Sequence, residues 1–156
     1  MYVQRLIIHH SAGEWGDVNY LRRLHVGGRG WSDIGYHKII LGPYPTYRSW
    51  ARGEPDEEQD GLVKQGRPDD MNGAHCPGQN TKALGICVVG HLDAYPPTTK
   101  QYETLVNVCS RLCQRHQLSH SDIHGHNEFR PTRCPGRYMD IEQLQCDVAI
   151  AMRCAA

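Results

Sequence analysis

Residues 83–92 read ALGICVVGHL, an almost unbroken apolar run too short for a membrane span and closed by glycine and histidine. A strand that alternates apolar and polar side chains can leave one face in water. This one cannot, because it needs cover on both faces, and that is the signature of a parallel or mixed sheet with helices on either side. The stretch VQRLIIHH at residues 3–10 has the same β-branched character and predicts a second central strand that ends at His9 or His10. IGYHKIIL (34–41) and GLVKQGR (61–67) predict two more strands.

Helical signals lie between and after these runs. NYLRRLHV (19–26) suits a helix stopped by Gly27 and Gly28. TTKQYETLVNVCSRLCQRH is the clearest helix: Thr98 and Gln101 form a capping-box pair, and Tyr102, Leu105, Val106, Cys109, Leu112, Cys113 and His116 repeat at helical spacing. A last helix is expected to start near Asp140 and to bury Ile141, Leu144, Val148 and Ala151. A chain of 156 residues fits one core. The expectation is a single α/β domain over 1–156, with a mixed central β-sheet flanked by helices. Residues 41–59 stand apart. Three prolines, two glycines and a late acidic cluster are expected to forbid a regular element there, and a loop of that length in a compact domain is either functional or a solvated excursion.

Composition narrows the partners. Lys plus Arg equals Asp plus Glu at 17 each, so the formal net charge is zero and nothing favours nucleic acid or an anionic membrane. No apolar run reaches the ~20 residues of a bilayer span, so membrane insertion is not expected. The opening MYVQRLIIHHSAG is too short and too soon polar for a secretory signal, which implies synthesis in the cytoplasm. Seven cysteines, an odd count without a CxxC pair, favour reduced thiols over a disulfide framework. Core packing accounts for Cys87, Cys109 and Cys113, but not for Cys134 in its polar, proline-flanked loop.

The chemistry concentrates in IHGHNEFRPTRCPG at residues 123–136. Histidine with cysteine favours zinc. A structural zinc takes four protein ligands in short paired spacings, which the chain lacks. A catalytic zinc takes three and keeps a position for water. His9, at the end of the first strand, with His126 and Cys134 from one loop, could supply them. His9 and His10 face opposite ways on a strand, so only one can ligate. His124 and His126 would share a face, and spacing does not choose between them. The rival is Cys134 as a nucleophile with a histidine base, which is disfavoured because Pro135 has no N–H to donate to an oxyanion.

Five segments occur in order: IIHHSA, GWSDIGYHKII, DGLVKQGRPDDMNGAH, ALGICVVG and HNEFRPTRCPG. Together they resemble the type-2 N-acetylmuramoyl-L-alanine amidases, a group that includes amidase-type bacteriophage lysozymes and the peptidoglycan recognition proteins. The resemblance runs from residue 6 to about 137 and makes most of 41–59 an insertion. It implies one zinc ion held by His9, His126 and Cys134, and hydrolysis of the amide between N-acetylmuramic acid and L-alanine in peptidoglycan. It places Tyr36 near the attacking water and Thr132 where the phage lysozyme type has a lysine, so a neutral hydroxyl replaces an ammonium. It places His75 in the cleft, as a substrate-binding residue. In the insertion, Tyr47 and Trp50, with Tyr44, offer flat faces to sugar rings, and Arg48 and Arg52 offer charge to peptide carboxylates. Without a signal, a phage-type endolysin would reach the wall through a holin or a secretion machine. A peptidoglycan-binding module, a cytosolic muropeptide-recycling amidase and a polymerase-binding role are the alternatives, the last without positive support in the sequence.

Overall fold

The structure is a computed structural model that describes residues 1–155. It contains five strands, β1 (Arg5–His10), β2 (Lys38–Ile40), β3 (Val63–Gln65), β4 (Ala83–Val88) and β5 (Ile123–Gly125), in the spatial order β3-β2-β4-β1-β5. β4 runs parallel to both β1 and β2, β5 runs parallel to β1, and only edge strand β3 is antiparallel to its neighbour β2. This is the mixed, helix-covered sheet expected from the sequence, in one α/β domain.

Alternation along the two central strands sorts their side chains. Leu6 and Ile8 of β1 and Leu84, Ile86 and Val88 of β4 face one way, into a core completed by α3 (Thr99–His116) and α4 (Ile141–Cys154). α3 contributes Leu105, Cys109, Leu112 and Cys113, and α4 contributes Leu144 and Val148. Both helices begin where the sequence placed them. Thr98 accepts from the Gln101 N–H while Gln101 accepts from the Thr98 N–H, and Asp140 caps α4 through the Gln143 N–H. The opposite face carries Ile7 and His9 from β1 and, in register beside them, Gly85 and Cys87 from β4. That second face is where the polar side chains gather.

Three local expectations need correction. First, the segment 41–59 does contain a regular element, the short helix α2 (Tyr47–Ala51). Thr46 caps it by accepting from the Ser49 N–H, an option the prolines on either side leave open. The excursion is closed at its base by Asp56 N–H to Pro43 O and Gly61 N–H to Leu41 O. Second, the strand expected over 34–41 is only three residues long, because the carbonyls of Gly35 and Tyr36 accept from the N–H groups of Ala74 and Arg67, outside the strand ladder. Third, β5 was not anticipated at all. The helix at 19–26 is α1 (Val18–Arg23), which continues as a wider π-type turn through Leu24–Gly28. No helix among the described residues is long and apolar enough to cross a membrane.

Candidate metal centre

Three chain segments meet at the C-terminal end of β1. His9 is the penultimate residue of that strand, His126 opens the 3-10 turn immediately after β5, and Cys134 lies in the loop that leads to α4. One ligand-capable atom from each of the three lies within 4.8 Å of the others. The His9 Nδ1 to Cys134 Sγ separation is 3.6 Å. Two such atoms bound tetrahedrally to zinc at ordinary Zn–N and Zn–S lengths would stand ~3.6 Å apart. His126 keeps a buried ring nitrogen, Nε2, with no protein partner. The donor set, the spacing and the unmet nitrogen all fit a zinc ion.

The members of each neighbouring histidine pair have different partners. His10 is committed elsewhere: its Nδ1 accepts the Leu92 N–H at 3.0 Å. His124 turns away from the cluster to Glu128, 2.7 Å from its Nδ1, and packs against Phe129. β5 ends at Gly125, so the backbone leaves strand geometry before His126, and the two histidines no longer share a face.

Electrostatics separate the metal reading from the thiol reading. Burial, reinforced by His75 and His126, holds His9 well below the usual imidazole range. Burial, then Arg130, lowers His126 in the same direction. Both imidazoles are therefore neutral at neutral pH. Burial pushes the Cys134 thiol up to about 11, against the pull of the His10 backbone. A nucleophilic cysteine needs the opposite shift. A bound dication is what would draw this thiol down to a ligating thiolate.

The site floors a cleft of about 480 Å³. Tyr36 sits against His9, ring centroids 5.1 Å apart, and against His25 at 5.3 Å. Burial, with the Cys87 and Cys134 thiols beside it, raises its phenol well above the ordinary value, so the hydroxyl stays protonated. Thr132 lines the same cleft and accepts the Cys134 N–H at 3.2 Å, which leaves its own proton free to donate outward. His75 also reaches the cleft, but both its ring nitrogens face protein atoms. The cleft has walls that sequence reasoning did not assign: His25, Arg29, Trp31, His91 and Arg133. Trp31 lies within the GWSDIGYHKII segment, the one signal that could have found it, and Arg29 stacks over it at 5.2 Å.

The aromatic residues of the excursion lie off this cleft. Tyr44 and Trp50 line a separate apolar pocket of about 310 Å³, opposite Tyr95. The Tyr95 hydroxyl accepts the N–H of His91, which itself lines the first cleft, so the two hollows share a wall. Tyr47 is exposed and meets Trp15 edge-on and Trp50 at a tilt instead.

A cleft at the carboxyl ends of the central strands of a mixed sheet, with two histidines and a cysteine converging on its floor, is a site that could hold one metal ion. The chain belongs to the N-acetylmuramoyl-L-alanine amidase family, whose model matches residues 1–137. It is 31% identical over 123 residues to an endolysin of Enterobacteria phage K11, covering 76% of this chain and 68% of that one. It is 28% identical over 144 residues to peptidoglycan-recognition protein SC2 of Drosophila melanogaster, covering 86% and 69%. Among solved structures, the N-acetylmuramoyl-L-alanine amidase LysC from Clostridium intestinale URNW superposes with a TM-score of 0.80 at 25% identity, over 96% of this chain and 87% of that one.

Proposed function

We propose that the protein is a zinc-dependent hydrolase that cuts the amide between N-acetylmuramic acid and L-alanine in peptidoglycan, in the manner of a phage-type endolysin. The observation that carries this reading is the convergence of His9, His126 and Cys134 on one point of a cleft that also holds Tyr36 and Thr132. Family membership and the endolysin and amidase relatives support the substrate class.

Amides are poor electrophiles, so hydrolysis needs an activated water and a stabilised oxyanion. Zinc held by the three side chains would supply a water of lowered pKa and a polarised carbonyl. The protein does the rest. His9 and His126 bring neutral imidazoles and Cys134 a thiolate, leaving the site one net positive charge. Tyr36 presents a phenol that remains a donor at any working pH, and Thr132 presents a neutral hydroxyl at the mouth of the same cleft. Both are suited to donate to the oxygen that gains charge in the transition state. Overall the carbonyl carbon gains OH, and the L-alanine nitrogen gains H as the C–N bond breaks. Arg29 and Arg133 on the walls can pair with carboxylates of the stem peptide. Synthesis in the cytoplasm, with release to the wall by a holin or secretion machine, completes the reading.

The test sets cleavage against binding. Purified sacculi incubated with the wild-type protein should release peptides with a free N-terminal L-alanine. Cys134→Ala should release none yet still co-sediment with sacculi. Co-sedimentation by the wild type with no new amino termini would make the protein a peptidoglycan-binding module instead. Cleavage of soluble muropeptides alone, with sacculi untouched, would indicate a recycling amidase.

A further inference from the structure

We propose that His75 is a positioning residue that fixes the proton of His9, so that His9 turns a bare Nδ1 toward Cys134 and His126. This rests on the zinc reading above and adds a task for a residue that reaches the cleft without contributing a ligand atom to the cluster.

The chain of donors can be followed atom by atom. His75 Nε2 lies 3.2 Å from the carbonyl oxygen of Ala83. A carbonyl can only accept, so that nitrogen carries the hydrogen. The ring is buried at 6% exposure with no carboxylate among its hydrogen-bond partners, and an occluded imidazole of that kind stays neutral. Its other nitrogen, Nδ1, is therefore an acceptor. His9 Nε2 faces that acceptor at 3.0 Å, in a ring that is 1% exposed, so Nε2 is where His9 carries its hydrogen. A neutral His9 then has a lone pair on Nδ1, the atom 3.6 Å from Cys134 Sγ. A backbone oxygen on β4 thus sets, through two imidazoles, which nitrogen of His9 is free to ligate. Metal-binding histidines commonly need such an outer partner to hold tautomer and ring orientation.

The surroundings of His75 are shaped to keep it there. A side chain at Gly85 would place its Cβ 2.5 Å from the His75 ring, and one at Gly73 would also collide with it. The loop NGAHCPGQN is pinned by Asn80, whose side-chain oxygen accepts both the His75 and the Cys76 N–H at 2.9 Å, while its carbonyl accepts the Gly73 N–H. β4 therefore supplies both the orienting carbonyl and the glycine that makes room for the ring.

Two variants and one spectrum decide the matter. His75→Asn places an amide oxygen close to where Nδ1 stands and keeps the acceptor. His75→Leu is similar in volume and removes it. By competition with a chromophoric chelator, His75→Leu should bind zinc roughly 10–100-fold more weakly than the wild type, the usual loss when an outer partner is removed. His75→Asn should stay within a few-fold. A role in packing alone would weaken both in step with their loss of thermal stability. Should His75→Leu fail to fold, nitrogen-15 NMR of the metal-free wild type still reports the tautomer, with His9 expected to be protonated at Nε2. Equal zinc affinity in a folded His75→Leu, or a proton on His9 Nδ1, overturns the proposal. A wild type that binds no zinc at all overturns the metal reading first, and the positioning role with it.

Discussion

Tyr36→Phe is the substitution that best separates chemistry from architecture at this site. The ring is held between His9 and His25, at 5.1 and 5.3 Å, and phenylalanine can occupy the same space. Only the hydroxyl disappears. The Cys87 and Cys134 thiols help to raise its pKa, and thiols are weak hydrogen-bond partners. Folding stability should therefore change by less than ~1 kcal/mol, a shift of only about 2–4 °C in Tm for a domain of this size. Zinc content should not change, because Tyr36 is not one of the three converging ligands. Turnover is another matter. Removing one preorganised donor from a developing oxyanion typically costs about 10²–10³ in kcat, or roughly 3–4 kcal/mol of barrier. The assay is the initial rate of amide cleavage on a soluble muropeptide, with Tm and bound zinc measured on the same preparation. A kcat within about threefold of wild type would remove the hydroxyl from the mechanism. A large loss of zinc or of Tm would mean that Tyr36 supports the site and does not act in it.

Other consequences follow from the same structure. Trp50→Ala opens the 310 Å³ pocket beside the cleft, so KM on sacculi should rise several-fold while Tm and zinc content hold; unchanged kinetics would make the 41–59 excursion passive. Replacing 41–59 with a short glycine-containing turn should act in the same direction and more strongly. Acid should destabilise the fold through buried histidines outside the metal cluster. His25 Nδ1 accepts the Gly35 N–H and His37 Nδ1 accepts the Gly85 N–H, each at 3.0 Å, so each ring must stay neutral. Burial, then Arg29 and Arg67, pushes His25 down to about 4, and burial also lowers His37. Because both folded values lie below the unfolded one of ~6.5, this stability is complete above that pH and is lost as pH falls toward 4. Thermal melts should drop across that window, and a Tm flat from pH 7 to 4.5 would refute the argument.

The parts of the fold legible in the sequence were those with strong local periodicity. The continuous apolar runs of β1 and β4 and the capping box and spacing of α3 gave their elements directly. β5 was hidden because a three-residue strand, Ile123–Gly125, carries too few side chains to show alternation, and its identity depends on pairing with β1. α2 was hidden because prolines and glycines read as loop, although a local Thr46–Ser49 cap suffices to start a helix between them. At the site, neither strand position nor spacing could choose between His124 and His126, since the choice depends on where β5 ends. His75 was expected at the substrate. What its sequence could not convey is that Ala83, eight residues away, would claim its far nitrogen, and that Gly85 would leave room for its ring beside His9.

The most direct test of the central claim is product analysis of sacculus digests made with the metal-stripped and the zinc-reloaded protein. The account expects no cleavage after stripping. On reloading to one zinc per chain, it expects stem peptides beginning with L-alanine and glycan strands whose muramic acid residues carry free lactyl carboxylates. Full cleavage by the stripped protein, or products cut at a glycosidic or peptide–peptide bond, would contradict it.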